Sequence, residues 1–165
     1  MKNIQIFFLL LSFSVFSLTT FEKAEKLYAQ KKYNEAEKLF SEHLKSHPNH
    51  TKTIEYLGDI AGHQKTWDAA ITNYKKLKVS YPKNANYWYK YGGALGMKAK
   101  ESNKFKALGM IDEVEESFLT AAKLDSKHIE TRWALVMLYI ELPAMIGGSE
   151  KKAQKYAVEL IALSK

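Results

Sequence analysis

The sequence contains no cysteine. That removes disulfides, thiolate metal sites and cysteine nucleophiles together, along with the acylatable cysteine a bacterial lipoprotein carries after its signal. Cysteine usage therefore says nothing about redox compartment. Proline occurs three times and glycine eight times in 165 residues, so no Pro- or Gly-rich linker and no low-complexity region is present. The chain is long enough for one domain with a real core. GxSxG, HExxH and a phosphate-binding glycine loop are also missing, as are paired carboxylates beyond ordinary helix surface. We expect no catalysis, no cofactor and no metal.

Positive charge is in excess, at a formal net +7. Lys2 gives a short positive start, and Ile4 to Leu18 is predominantly apolar with scattered serines and no charge. Small residues at Ser17 and Thr19 offer a cleavage site. An apolar stretch of about 15 residues is shorter than the roughly 20 that span a bilayer. Residues 1–19 therefore read as a secretory signal peptide, with an uncleaved anchor or a buried helix as the alternatives. The expected location is exported, periplasmic or extracellular. Cleavage would remove only Lys2, so the remainder stays basic. Export makes a nucleic-acid partner unexpected despite that charge.

Helix-forming sequence follows, and it repeats. Tyr33, Ala36, Phe40 and Pro48 recur 34 residues later as Trp67, Ala70, Tyr74 and Pro82. Ala24, Gly58 and Gly92 keep step as small residues, and Thr20, Ile54 and Trp88 sit four places before them. A fixed period of this size on helical sequence means stacked helical hairpins. Four units are expected, at about 20–50, 51–84, 85–128 and 129–165. Thr19 with Glu22 has capping-box spacing; Thr66 and Ser149 are placed to be N-caps. Pro48 and Pro82 end helices because the residue before proline avoids the helical region. The register then stretches. Tyr74 to Phe118 spans 44 residues, so ten are inserted within Gly96–Val114, and Pro143 with Gly147–Gly148 interrupts the fourth unit. Gly58 and Gly92 are expected where the two helices of a hairpin come closest, facing Ala36 and Ala70; Trp88 is expected in the core.

These residues resemble the tetratricopeptide repeat. Trp88, Tyr91–Gly92 and Leu95, with Ala70, Tyr74 and Pro82, match its motif at its own spacing, and Leu57–Gly58 through Pro82 is the cleanest copy. The resemblance covers about Thr20 to Leu163. It implies an all-α, right-handed solenoid of about four hairpins, whose first helices line a concave groove that binds a protein or peptide. The second half is similar to exported bacterial tetratricopeptide proteins, which share the Asn103–Gly109 and Leu142–Ala153 stretches; this implies envelope association.

In that frame the groove residues are Phe21, Tyr28, Glu55, Asp59, His63, Tyr89, Met97, Trp133, Met137 and Ile140. Aromatic and methionine lining suits an apolar anchor; the competing reading is packing against neighbouring helices. The family's best-understood groove chemistry clamps a terminal carboxylate with Lys, Arg and Asn. Here those positions hold Phe21, Glu25, Glu55 and Asp59, with Lys90 the one basic match. His43, His47 and His50 form the sole metal-like constellation, but no carboxylate completes it and His47 suits a helix C-terminus. Asn49-His50-Thr51 is a formal glycosylation sequon without meaning in a bacterial protein. Lys98, Lys100, Lys104 and Lys106 gather charge in the inserted segment, as a solvated face or as a contact for anionic lipid, glycan or an acidic partner. The sequence ends at Lys165, just after the last repeat helix. Either the Pro143–Gly148 loop caps the array, or the apolar end self-associates or meets a partner. A shortened fragment without independent role is a further alternative.

Overall fold

The computed structural model describes residues 18–163, so all but the last two residues of the signal-peptide reading lie outside the described residues. Among the described residues there are eight α-helices, one 3-10 turn and no strand. The helices are α1 (Thr20–Ala29), α2 (Tyr33–Ser46), α3 (Thr51–His63), α4 (Trp67–Ser80), α5 (Ala85–Glu101), α6 (Lys104–Leu124), α7 (Ile129–Glu141) and α8 (Glu150–Leu163). The turn is Ala144–Ile146. Each helix packs chiefly on its neighbours in sequence, as stacked hairpins must. None of these helices is long and apolar enough to cross a membrane.

Two kinds of turn alternate, and each has its own chemistry. Between hairpins, His47 (φ −132°, ψ 66°) and Tyr81 (φ −130°, ψ 65°) leave the helical region directly before Pro48 and Pro82. Asp125 does the same at φ −133° without a following proline. Within hairpins, Lys31 (φ 59°) and Lys65 (φ 58°) occupy the left-handed region at equivalent places. Their amides, and those of the residues after them, close back onto Tyr28 and Leu27, and onto Gly62 and Ala61. Glycine usually fills such a helix-ending position, and an L-residue there costs about 1 kcal/mol.

The capping box forms as expected. The Glu22 amide donates to Thr19 Oγ1 at 3.2 Å, while the Thr19 amide donates to Glu22 Oε2 at 2.7 Å. Ser149 caps α8, its Oγ accepting from the Lys152 amide at 3.3 Å. Thr66 does not cap α4. Its hydroxyl turns back and donates to Ala61 O at 3.2 Å, because the preceding left-handed Lys65 brings that carbonyl within reach.

The two glycines that share a register position lie where the helices of a hairpin come closest, and the nearest side chains across the gap are Tyr74 for Gly58 and Ser117 with Phe118 for Gly92. A Cβ on Gly58 would stand 2.6 Å from Tyr74 Cε1; on Gly92 it would stand 2.9 Å from Ser117 Cβ and 3.0 Å from the Phe118 ring. Tyr74 and Phe118 are therefore the facing partners, and Ala70 is simply buried beside them. Trp88 is half-buried, not core. Tyr87 takes the buried place, while Trp88 Nε1 donates to Pro82 O at 2.8 Å. Arg132 does the same job one unit later. Buried at 4% exposure, its guanidinium donates to Asp125 O (2.7 Å), His128 O (3.2 Å) and Ala122 O (3.2 Å), satisfying carbonyls at the end of α6.

Three Tyr–carboxylate–Lys triads tie successive helices together. Asp59 (α3) accepts from Tyr74 (α4) and Lys90 (α5). Glu113 (α6) accepts from Tyr91 (α5) and lies 3.7 Å from Lys78 (α4). Glu115 (α6) accepts from Tyr139 (α7) and Lys152 (α8). In all three triads the lysine also sits over the tyrosine ring, at 5.7 Å, 3.8 Å and 4.8 Å in turn.

The array's last helix is not capped by the extra loop. Pro143–Gly148 closes on the end of α7, through Gly148 N to Pro143 O and Ser149 N to Tyr139 O. Val158 and Ile161 of α8 remain 60% and 62% exposed.

Candidate groove on the first helices

Register aligns the groove candidates into rows. Phe21, Glu55, Tyr89 and Trp133 share one repeat position; Glu25, Asp59, Gly93 and Met137 share the next; Ala29, His63, Met97 and Glu141 share a third. On α7 the buried residues are Thr131, Arg132, Leu135, Val136 and Tyr139. Trp133, Met137 and Ile140, at i, i+4 and i+7, form a separate stripe.

The structure divides these positions into two halves. At the N-terminal half the aromatics are consumed by packing. Phe21 lies against Phe40, His43, His50 and Tyr56, with ring centroids 4.8–6.3 Å apart. Tyr28 packs on Tyr33, Tyr56 and His63, and His63 stacks on Tyr33 at 4.5 Å. The Tyr56 hydroxyl donates to Glu25 at 3.0 Å, and burial followed by that hydrogen bond pushes its pKa up to about 12.

A charged knot follows. Lys90 Nζ lies 2.8 Å from Glu55 Oε1 and 2.7 Å from Asp59 Oδ1, and the Tyr74 hydroxyl donates to that same Asp59 oxygen at 2.6 Å. Burial opposes ionisation of Glu55, but hydrogen bonding and charge from Lys90, backed by Lys52, reverse this and hold the carboxyl below its ordinary value. Burial likewise opposes the Lys90 cation, and Asp59 with Glu55 overcomes it, so the ammonium is retained to higher pH than usual. Burial, then the Asp59 charge, pushes the Tyr74 hydroxyl up. A lysine spent on two carboxylates cannot also clamp a partner's carboxylate.

The C-terminal half is open and apolar. Met97 is 39% exposed, Trp133 57% and Ile140 62%, with Met137 half-buried between the last two. Gly93 sits in the same row as Met137, and a Cβ there would meet nothing within 4 Å. Tyr89 borders this surface and is anchored: its ring packs on Phe118 (6.1 Å) and His128 (5.1 Å), and burial pushes its hydroxyl up.

The remaining candidates lie elsewhere. Lys98 pairs with Asp68, and Lys100 with Glu141 at 2.6 Å; Lys104 and Lys106 stand exposed in the first turn of α6. His43 and His47 are stacked face to face at 4.3 Å, with His50 at 4.9 Å from His43. Parallel rings cannot direct both in-plane lone pairs at one ion, and no metal-holding group of His, Asp or Glu occurs among the described residues. Sequence reasoning passed over Phe105 and Met145, the most exposed large apolar side chains at 88% and 90%. Their location inside the two stretched segments was the available signal.

No protein-family model matches the sequence, and no curated protein matches it. Solved structures do. MamA of Desulfovibrio magneticus RS-1 (residues 41 to the end) superposes with a TM-score of 0.73 at 18% identity, covering 88% of this chain and 73% of that one. The thermophilic TPR protein TTC0263 of Thermus thermophilus gives 0.70 at 18% identity, covering 87% and 72%. Human IFIT1, solved as a dimer with PPP-AAAA, gives 0.70 at 23% identity over 86% of this chain and 31% of that one. At these identities the likeness concerns the fold. The chain is an all-α solenoid of tetratricopeptide type.

Proposed function

We propose that the protein is a non-enzymatic scaffold of the bacterial envelope that holds a protein or peptide partner through an apolar anchor in the α5–α7 half of its groove. One observation carries this reading: Trp133 and Ile140 lie exposed one helical turn either side of Met137, facing the same side of the array as the open Gly93 and Met97. Side chains of this size on one stripe are the usual centre of a helix- or peptide-binding surface. The Lys90–Glu55–Asp59 knot, balanced by Lys52 beside Glu55, fixes the floor beside it and supplies no unpaired charge. Affinity then comes from apolar burial and depends little on salt. The envelope assignment rests on the apolar leader at residues 1–19. Crosslinked pull-down from the native envelope, with wild type and Trp133→Ala in parallel, tests the scaffold role. Partners recovered by wild type and missing from Trp133→Ala support it, and an unchanged set of partners removes the groove from the explanation.

A further inference from the structure

The ten inserted residues of the third hairpin all lie at its tip. α5 runs nine residues past Gly92, whereas α3 runs five past Gly58; α6 has fourteen residues before Phe118, whereas α4 has seven before Tyr74. At 1.5 Å per helical residue the tip projects roughly 6–10 Å beyond the neighbouring turn. Phe105 stands on that projection at 88% exposure, and no α6 residue before Ile111 is buried. The fourth hairpin's turn carries Met145 at 90% exposure, and the Lys100–Glu141 ion pair joins the two tips at one edge of the array.

Unpaired lysine accompanies these apolar side chains at the same edge. The within-hairpin edge carries Lys31, Lys32, Lys65, Lys104, Lys106 and Lys151, all exposed and with no ion pair among the described residues, against the carboxylates Glu35, Glu101 and Glu150, and Glu37, which Gln64 holds from the α3–α4 turn. Asp68 and Glu141 at this edge are taken by Lys98 and Lys100. The opposite edge also carries exposed lysine, with Lys83 and Lys127 in its turns and Lys45, Lys76 and Lys123 near the ends of α2, α4 and α6, so what sets the within-hairpin edge apart is its projecting tips with Phe105 and Met145. Lys31 and Lys65 hold the left-handed position in two successive repeats, where glycine would be easier. Strain retained at matching sites argues that the side chain is wanted there. The edge contains lysine and no arginine: the chain's one arginine is the buried Arg132. Lysines are point charges suited to diffuse attraction by a fluid anionic surface, whereas bidentate phosphate recognition favours arginine.

We propose that this edge docks the solenoid onto a membrane surface rich in anionic lipid, with the lysines over the headgroups and Phe105 and Met145 inserted at the interface. Docking would leave the groove facing sideways and open, so it is independent of what the groove binds. The lack of cysteine allows a direct test in the full chain. An environment-sensitive fluorophore is placed on Phe105→Cys, on Met145→Cys and, at the opposite edge, on Lys83→Cys. Each is titrated with vesicles of phosphatidylserine and phosphatidylcholine, with phosphatidylcholine alone, and with soluble heparin. The expected result is a severalfold rise in emission at 105 and 145, and none at 83, with anionic vesicles only. That rise should vanish in 0.5 M salt. Adding Lys104→Gln and Lys106→Gln should raise the lipid needed for half-maximal signal about 10- to 25-fold. Three results overturn the proposal: an equal response at 83, the same response with phosphatidylcholine alone, or a response to heparin that matches or replaces that to vesicles. The last would assign the edge to a soluble polyanion.

Discussion

Adjacent glycines on α5 should respond in opposite directions to the same substitution. In Gly92→Ala the new methyl stands 2.9 Å from Ser117 Cβ and 3.0 Å from Phe118 Cε1. Ser117 Cβ is fixed to the α6 backbone, so no rotamer change relieves the contact; α5 and α6 must separate by several tenths of an ångström. Overpacking of this kind costs about 1–3 kcal/mol. Alanine's helix propensity returns about 1 kcal/mol, leaving a net loss of up to about 2 kcal/mol. In Gly93→Ala the methyl meets nothing within 4 Å, so only the propensity gain of about 0.5–1 kcal/mol remains. Urea unfolding of both variants, followed by circular dichroism and by tryptophan fluorescence, gives the difference directly; two probes are needed because an array can unfold in parts. The propensity gain is common to both variants, so the midpoints should move apart by the overpacking cost, the equivalent of about 1–3 kcal/mol. Equal shifts of one sign would refute the packing argument at the hairpin's closest approach.

Other perturbations probe the polar ties. Lys90→Met takes the shared cation from two largely desolvated carboxylates, leaving Glu55 the exposed Lys52 and Asp59 only the Tyr74 hydroxyl, and should cost about 2–3 kcal/mol in the same urea assay. Arg132→Met takes the guanidinium donors from the Ala122, Asp125 and His128 carbonyls, leaving the last two their backbone donors and Ala122 none, and should cost about 1–3 kcal/mol, with amide hydrogen exchange rising first at the α6–α7 turn. Folding lowers the Glu55 and Glu115 pKa values below their ordinary 4.5, so their contribution is present above that pH and is lost as pH falls through the folded values. Folding raises Lys90 above 10.5 and Tyr74 above 10.0, so their contribution holds below those values and is lost on moving above them. Thermal melts from pH 3 to 11 should therefore show a plateau bounded on both sides, and in Lys90→Met both shoulders should flatten.

Much of the fold was legible because the repeat reports itself. Pro48 and Pro82 marked the turns, Thr19 and Glu22 marked the first helix, and the 34-residue register placed Gly58 and Gly92 as equivalents. Legibility failed where a side chain's role depends on a neighbouring helix. Thr66 has the composition of an N-cap, yet Lys65's left-handed backbone turns its hydroxyl to Ala61. Trp88 looked like core, but Tyr87 is the buried one of the pair, and no periodicity distinguishes adjacent aromatics. The groove candidates share register positions and differ in exposure. Phe21 and Tyr28 are covered because histidines and tyrosines from α2 and α3 reach them, which needs coordinates to see. Lys90 illustrates the same limit: its charge was visible, and its two carboxylate partners, 31 and 35 residues away, were not.

The central claim is that Trp133 is displayed for a partner. Panning a random peptide library against the full chain, then measuring the selected peptides by calorimetry, tests it most directly. Selected peptides should carry one large apolar residue and bind about equally in 0.05 and 0.5 M salt. Trp133→Ala should weaken them roughly 30-fold or more while changing stability by under about 0.5 kcal/mol. Peptides that bind Trp133→Ala as tightly as wild type, or a melting loss in that variant as large as for a buried aromatic, would contradict it.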